Sequence, residues 1–235
     1  MELTDAALLY LDDALLILDK PAGLPVHATL DAARDHLLLA AARLLARRGE
    51  SPGVLGLGHR LDVGTSGLIA LGRRQDVTAK LAAQFAERTA LKAYLALTQR
   101  ADPLPQAPLE VRNHLAGNKD RHGFPVLAVR SGGDRAWTTL TVQHASAQAV
   151  LWRAELHTGR RHQIRAHLAG IRMPLIGDVA YGAAIAADRP MLHAARLQLD
   201  HPLTGAPLVF RVPPPADFLL ALQRLGLTAR AADWL

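Results

Sequence analysis

Three short segments of the 235-residue chain hold the residue types that do chemistry. The first is Gly58-His59-Arg60-Leu61-Asp62-Val63-Gly64-Thr65-Ser66-Gly67. A carboxylate in a glycine-flanked loop can approach a ligand closely. Arg60, two residues before Asp62, could hold that carboxylate ionised or reach for a phosphate. Asp62 could equally do no more than cap the turn into Thr65 and Ser66, since aspartate in turns is common. The second segment is His157-Thr158-Gly159-Arg160-Arg161-His162-Gln163-Ile164-Arg165-Ala166-His167. Its histidines stand five apart, which on a helix separates successive side chains by roughly 140° and on a strand puts them on opposite faces. Zinc-binding helices space their ligands by about four residues, and the chain has no HExxH motif and no cysteine, so no metal site is expected. Read for anions, Thr158-Gly159 opens a short helix whose first amides carry partial positive charge, with Arg160, Arg161 and Arg165 close by. A solvated basic helix face would have the same composition. The third segment is Lys92-Ala93-Tyr94, where a helix gives way to a strand. A lone tyrosine is commonly a boundary residue with one partner for its hydroxyl, and the ten aromatic residues of the chain suggest no extended base-stacking platform.

These segments need elements to position them. The opening reads as strand, turn, strand: the apolar run 15–18 is stopped by Pro21 and turned by Gly23 and Pro25. Residues 31–48 read as a helix, with Leu37, Ala41, Leu44, Leu45 and Arg48 at helical spacing, Asp31 or Asp35 as cap and Gly49 as terminator. A second helix is expected over 76–87, with Val77, Leu81 and Phe85 on one face, and the glycine-rich stretch 53–67 between the two is not helical. Strands are expected at 95–97, 126–129, 137–142, 149–156 and 208–212. Short helices are expected at 162–168, ending at Gly170, and at 216–225, ending at Gly226. Strands and helices do not alternate regularly, so the fold class is α+β with a mixed, largely antiparallel sheet flanked by helices. A single domain is expected over 1–235, and the proline-rich stretch 102–108 is the place where two lobes would meet.

Composition narrows the class. Half of the residues are apolar, enough for a sizeable core and incompatible with a disordered chain. The longest apolar runs are too short to span a bilayer, the first residues do not read as a secretory leader, and a cytoplasmic location is expected. With no cysteine there is no disulfide framework and no thiol nucleophile. Lys and Arg outnumber Asp and Glu by 27 to 21, a formal charge of +6, and only Lys20, Lys80, Lys92 and Lys119 are lysines. Arginine's planar fork suits phosphate, so nucleic acid is a plausible partner, although a GC-rich genome also writes arginine for lysine.

Taken together and in order, the three segments resemble the RluA-type pseudouridine synthase family. His59-Arg60-Leu61-Asp62 with Thr65-Ser66-Gly67 resembles the signature around its catalytic aspartate. Lys92-Ala93-Tyr94 resembles its tyrosine motif, and 158–165 with His167-Leu168 its third motif. Gly177-Asp178, Tyr181-Gly182, Leu192-His193-Ala194 and 201–205 continue the likeness, and 18–27 resembles the family's opening segment, so the resemblance covers about 8–218. One departure is the lack of a glycine near Gln99 or Arg100. Another is that so little precedes residue 8 that the sequence reads as a catalytic domain without the RNA-binding domain many relatives carry.

The resemblance implies an isomerase of uridine in ribosomal or transfer RNA, with a central active-site cleft, no cofactor, no metal and a monomer acting on structured RNA. It implies that Asp62 is the essential carboxylate, acting at the sugar as nucleophile or as base. Arg165 pairs with it, and Tyr94 packs on the target base. His59, Arg60, Lys92, Arg160, Arg161, His162 and Gln163 are the expected substrate contacts, Arg60 filling the space that the flipped base vacates. Two other classes compete: a non-catalytic RNA-binding or ribosome-assembly protein on the same scaffold, and a metal-dependent nuclease using the histidines. Intact Asp62, Tyr94 and Arg165 argue against the first, and histidine spacing against the second.

Overall fold

The computed structural model describes residues 2–28, 34–117 and 125–228. In chain order the elements are β1 (Leu8–Leu11), β2 (Leu15–Lys20), α1 (Leu37–Arg47), β3 (Gly56–Leu57), β4 (Ser66–Gly72), α2 (Gln75–Glu87) and β5 (Leu91–Gln99). Then follow β6 (Leu109–Gly117), β7 (Val126–Val129), β8 (Asp134–Ala145), β9 (Ala149–Leu156), α3 (Gln163–Gly170), β10 (Leu192–Asp200), β11 (Pro207–Arg211) and α4 (Ala216–Arg224). The fold is α+β with mostly antiparallel strands, as the irregular order of elements predicts. No helix among the described residues is long and apolar enough to cross a membrane.

The chain forms two compact units, one from 1–91 with 196–212, the other from 92–195 with 213–235. The chain passes between the units after Leu91, Ala195 and Val212, and the proline-rich stretch 102–108 lies within the second unit. Those prolines connect β5 to β6 inside the second unit, where they end one strand and delay the next.

In the first unit β2 lies between β1 and β4, antiparallel to both, with Lys20 opposite Gly67 at its end. A strand flanked on two edges and covered on both faces needs apolar residues throughout, and 15–18 are all fully buried. Leu15, Ile17, Leu68 and Ala70 pack with Val77 and Leu81 of α2 and with Leu197, Leu199 and Val212. Each such leucine or isoleucine stabilises the fold by about 1.5–3 kcal/mol relative to an exposed side chain. The helix expected over 31–48 begins only at Leu37. His36, extended at φ −134°, occupies the N-cap without a side-chain cap bond, and Asp35 is drawn to Arg43 instead. Asp31 lies outside the described residues. Pro25's carbonyl accepts from the Leu37 amide at 2.8 Å, so the opening segment itself sets where the helix starts. Gly49, at φ +72°, follows the helix end as its position suggests.

In the second unit the strands run β5-β9-β8-β6-β7, each pair antiparallel. Trp152 is fully buried and its indole donates to the Thr98 hydroxyl at 2.9 Å. α4 covers one face, packing Phe218 and Leu222 on Leu95, Leu97 and Leu151. Several strands go unannounced in the sequence, among them β3, inside the glycine-rich stretch, β4, which begins at its end, β6, whose Glu, Arg, Asn and His hide the alternation, and β10, whose paired alanines favour helix. α3 runs through Gly170, and the left-handed position falls on Arg172 at φ +64°. The chain turns there to bury Met173, whose amide donates to Leu168 at 2.9 Å.

Candidate active site

Asp62 belongs to the first unit, in the loop between β3 and β4. Three features fix that loop. Lys20 is fully buried, and its ammonium donates to the carbonyls of Pro21 (2.9 Å), Leu24 (3.0 Å) and Val63 (3.4 Å). The Gly23 amide donates to Val63 as well, at 2.7 Å. A buried ammonium satisfied by carbonyls ties the opening segment to the residue directly after Asp62. The Thr65 amide donates to the Asp62 carbonyl at 3.0 Å, so the backbone of Asp62 closes the tight turn through Val63 and Gly64. Upstream, a Cβ on Gly58 would stand 2.7 Å from Cβ of Leu81, so glycine lets the loop lie directly on α2. Side chains then alternate in environment: His59 inward, Arg60 exposed, Leu61 inward, Asp62 half-buried. His59 is 7 % exposed, its Nε2 accepts from the Ala70 amide at 3.0 Å, and its ring lies 4.3 Å from that of Phe85. Those contacts knit β4 to α2.

Tyr94, Lys92 and the segment 157–167 belong to the second unit. Tyr94 lies on β5 opposite Ala154 and is 4 % exposed. Lys92 is half-buried, and burial pulls its pKa from 10.5 down to about 8. Its ammonium lies 3.6 Å from where a Cβ on Gly159 would be, which sets it against the loop that carries Arg160 and Arg161. Both arginines are exposed. The Arg160 Nε donates to the Arg135 carbonyl at 3.0 Å, with Asp134 at 3.9 Å.

Gln163, expected as a substrate contact, is turned into the protein. It is 2 % exposed, and all four hydrogen-bonding positions of its amide are used within the protein. Its oxygen accepts from the Thr158 hydroxyl (2.7 Å) and the Arg160 amide (3.0 Å). Its nitrogen donates to the Trp137 carbonyl (3.0 Å) and the Thr138 hydroxyl (2.8 Å). The chain of bonds continues from Thr138 to His167 Nδ1 (2.9 Å) and from His167 Nε2 to Asn113 (3.0 Å). Burial lowers the His167 pKa from 6.5 to about 4, so the ring stays neutral, accepting at one nitrogen and donating at the other. Gln163 has no position left to offer a nucleotide.

Arg165 is buried, and Asp178 grips it through two parallel bonds, Nε to Oδ2 at 2.7 Å and Nη2 to Oδ1 at 2.8 Å. Asp178 is 1 % exposed. The preceding Gly177 has φ +77°, and a Cβ there would sit 2.1 Å from the Arg189 carbonyl oxygen, so only glycine lets the chain deliver Asp178 to this place. The Arg165 guanidinium also lies over the Tyr181 ring, 4.9 Å from its centroid. His162, in the left-handed region at φ +53°, places Nδ1 3.3 Å from the Tyr181 hydroxyl. Asp178 and Tyr181 are the residues to which sequence reasoning gave no role, although the Gly177-Asp178 and Tyr181-Gly182 pairs marked their positions. The three histidines of the second segment go to different places: His157 stacks on Trp137 at 3.9 Å, His162 meets Tyr181, and His167 is buried beside Thr138. Among the described residues no three acidic or histidine side chains converge as metal ligands would.

Residues 14–170, which include the Asp62 loop, Tyr94 and Arg165, match the RNA pseudouridylate synthase family. The chain belongs to it, as the resemblance to RluA-type enzymes implies. It is similar to ribosomal large subunit pseudouridine synthase D of Nitrosomonas europaea, at 34 % identity over 93 % of this chain and 64 % of that protein. It thus spans a little under two thirds of that relative's length. It is also similar to tRNA pseudouridine synthase C of Salmonella typhimurium, at 33 % identity over 93 % of this chain and 89 % of the relative. Among solved structures, human RNA pseudouridylate synthase domain containing 4 superposes with a TM-score of 0.73 at 26 % identity, covering 95 % of this chain and 94 % of that one.

Proposed function

We propose that the chain is an RNA pseudouridine synthase that isomerises uridine in ribosomal or transfer RNA, with Asp62 as its essential carboxylate. In this reaction the C1′–N1 bond breaks, the uracil turns and a C1′–C5 bond forms. C5 gives up its proton and N1 regains one, so nothing is oxidised or reduced. Breaking the bond develops positive charge on the sugar, and a half-buried carboxylate beside it meets that charge, either by bonding or by taking a proton. Arg165 is the guanidinium that the family resemblance assigns to act with Asp62 in the reaction. Tyr94 packs on the uracil, and its hydroxyl takes part in removing the C5 proton. Arg60, exposed beside Asp62, fills the stack that the target base leaves. Lys92, Arg160 and Arg161 hold phosphates and position the RNA without reading its sequence. His59 and Gln163 brace the loops that carry these groups, and His162 acts through Tyr181. Under this reading the protein works in the cytoplasm, as a monomer, on structured RNA.

The observation that supports the reading most is that Asp62, Tyr94 and Arg165 all fall inside the family match, each on a rigidly held part of its unit. The test compares wild type with Asp62→Asn for restoring pseudouridine, mapped by chemical labelling, to total RNA from a strain lacking the gene. Wild type should restore sites and the variant none. If both restore the same sites, or neither restores any, the assignment fails and a non-catalytic RNA-binding role takes its place.

A further inference from the structure

We propose that Tyr181 is a positioning residue for Arg165, and that its hydroxyl ties the orientation of that arginine to strand β7. The inference rests on the proposed role of Arg165 in the reaction.

A guanidinium is a flat fork, and two kinds of motion must be stopped to aim it. The paired bonds to Asp178 at 2.7 and 2.8 Å stop it from sliding or turning within its own plane. They do less against tipping about the edge that carries them. The Tyr181 ring lies against the guanidinium with 4.9 Å between Cζ and the ring centroid, and so opposes that tipping. The ring is itself anchored at its far end. The Val126 amide, at the start of β7, donates to the Tyr181 hydroxyl at 2.9 Å. Val126 pairs with Gly117 of β6, so a shift of the β6–β7 hairpin moves the hydroxyl and with it the ring.

A third contact comes from His162, whose Nδ1 lies 3.3 Å from the same hydroxyl. A non-glycine residue at φ +53° is held there by its surroundings, and a ring docked edge-on to Tyr181, 6.0 Å between centroids, is part of that hold. Tyr181 thus joins β7, the start of α3 and the Arg165 guanidinium, all within the second unit. Substrate contact is unnecessary for this role. A misaimed arginine lowers the rate of the chemical step while leaving RNA affinity in place.

The experiment uses the full chain with bulk ribosomal and transfer RNA from cells lacking the gene, labelled with 5-tritiated uridine, because tritium leaves C5 when the new bond forms. Single-turnover release and RNA dissociation constants are measured for Tyr181→Phe and Tyr181→Leu, with thermal melting to check folding. Tyr181→Leu should slow release about 30-fold or more, and Tyr181→Phe, which keeps the ring but loses its anchor, about fivefold or more, both binding RNA within about threefold of wild type. A loss of less than about fivefold in both, or a rate loss matched by an equal loss of affinity, overturns the proposal. If Tyr181→Leu does not fold, Tyr181→Phe decides alone by the same threshold. Asp62→Asn is the control: if it still releases tritium, the reading of the active site has failed, whereas an inactive Asp62→Asn beside unimpaired Tyr181 variants refutes only the role of Tyr181.

Discussion

Replacing Gln163 with leucine separates two roles that its place in the third motif leaves open. An RNA contact would lose affinity and keep stability; a buried brace would do the reverse. Leucine nearly preserves volume, so the main loss is four hydrogen bonds of 2.7 to 3.0 Å. At about 1 kcal/mol net apiece these sum to about 4 kcal/mol, if every partner is left without a substitute. Several are not. The Thr138 hydroxyl keeps His167, the Trp137 carbonyl keeps the His157 amide at 3.1 Å, and the Thr158 oxygen keeps the Trp137 amide at 2.9 Å. The Arg160 amide belongs to an exposed residue and can turn to water. A net loss of about 3 kcal/mol remains, which for a chain of this size lowers the melting temperature by about 6–12 °C. Circular dichroism melting gives that shift, and filter binding of bulk transfer RNA at 20 °C gives affinity, with wild type and variant both folded. Affinity should stay within about twofold of wild type. A melting temperature within about 2 °C of wild type, together with about tenfold weaker RNA binding, would refute the brace and restore Gln163 to the RNA interface.

Two further expectations concern pH. His167 titrates near 6.5 when unfolded and at about 4 when folded, so the neutral ring contributes stability above pH 6.5 that is lost as pH falls towards 4, about 3 kcal/mol in all. Urea midpoints between pH 7 and pH 4.5 should therefore fall less steeply in His167→Gln than in wild type, and equal slopes would show that His167 does not drive the acid limb. Lys92 carries its charge only below about pH 8. RNA affinity at fixed salt should then weaken between pH 7 and 9, and Lys92→Arg should remove that step, since arginine stays charged. A step that persists in Lys92→Arg would assign the titration to another group.

The parts of the protein that depend on short-range order in the chain were legible without coordinates. The β2 run 15–18, the helix beginning near Asp76, the non-helical glycine stretch and the helix start before Gln163 all follow from local periodicity and turn chemistry, which act between neighbours. The order of the motifs was enough to point to the family and so to Asp62, Tyr94 and Arg165. Strands β6 and β10 escaped notice because a strand with polar or small residues is made by its partners: β6 by β7 and β8, β10 by β11. The start of α1 moved from 31 to 37 for a similar reason, since a distant carbonyl, that of Pro25, receives the first helical amide.

Motif residues carried their identity in the sequence but not the direction of their side chains. Adjacent Arg60 and His59 look interchangeable as RNA contacts on paper, yet one is exposed and the other stacks beside Phe85. Gln163 and Arg161, two apart, divide in the same way. Asp178 comes to Arg165 from thirteen residues along the chain, and Tyr181 to Val126 from fifty-five, separations at which no local pattern reports a contact. The sequence by itself determined which chemical groups the protein owns and the order in which they come. The tertiary structure decided which of them are spent on holding others in place, because burial and hydrogen-bond saturation are properties of a packed neighbourhood and not of a motif.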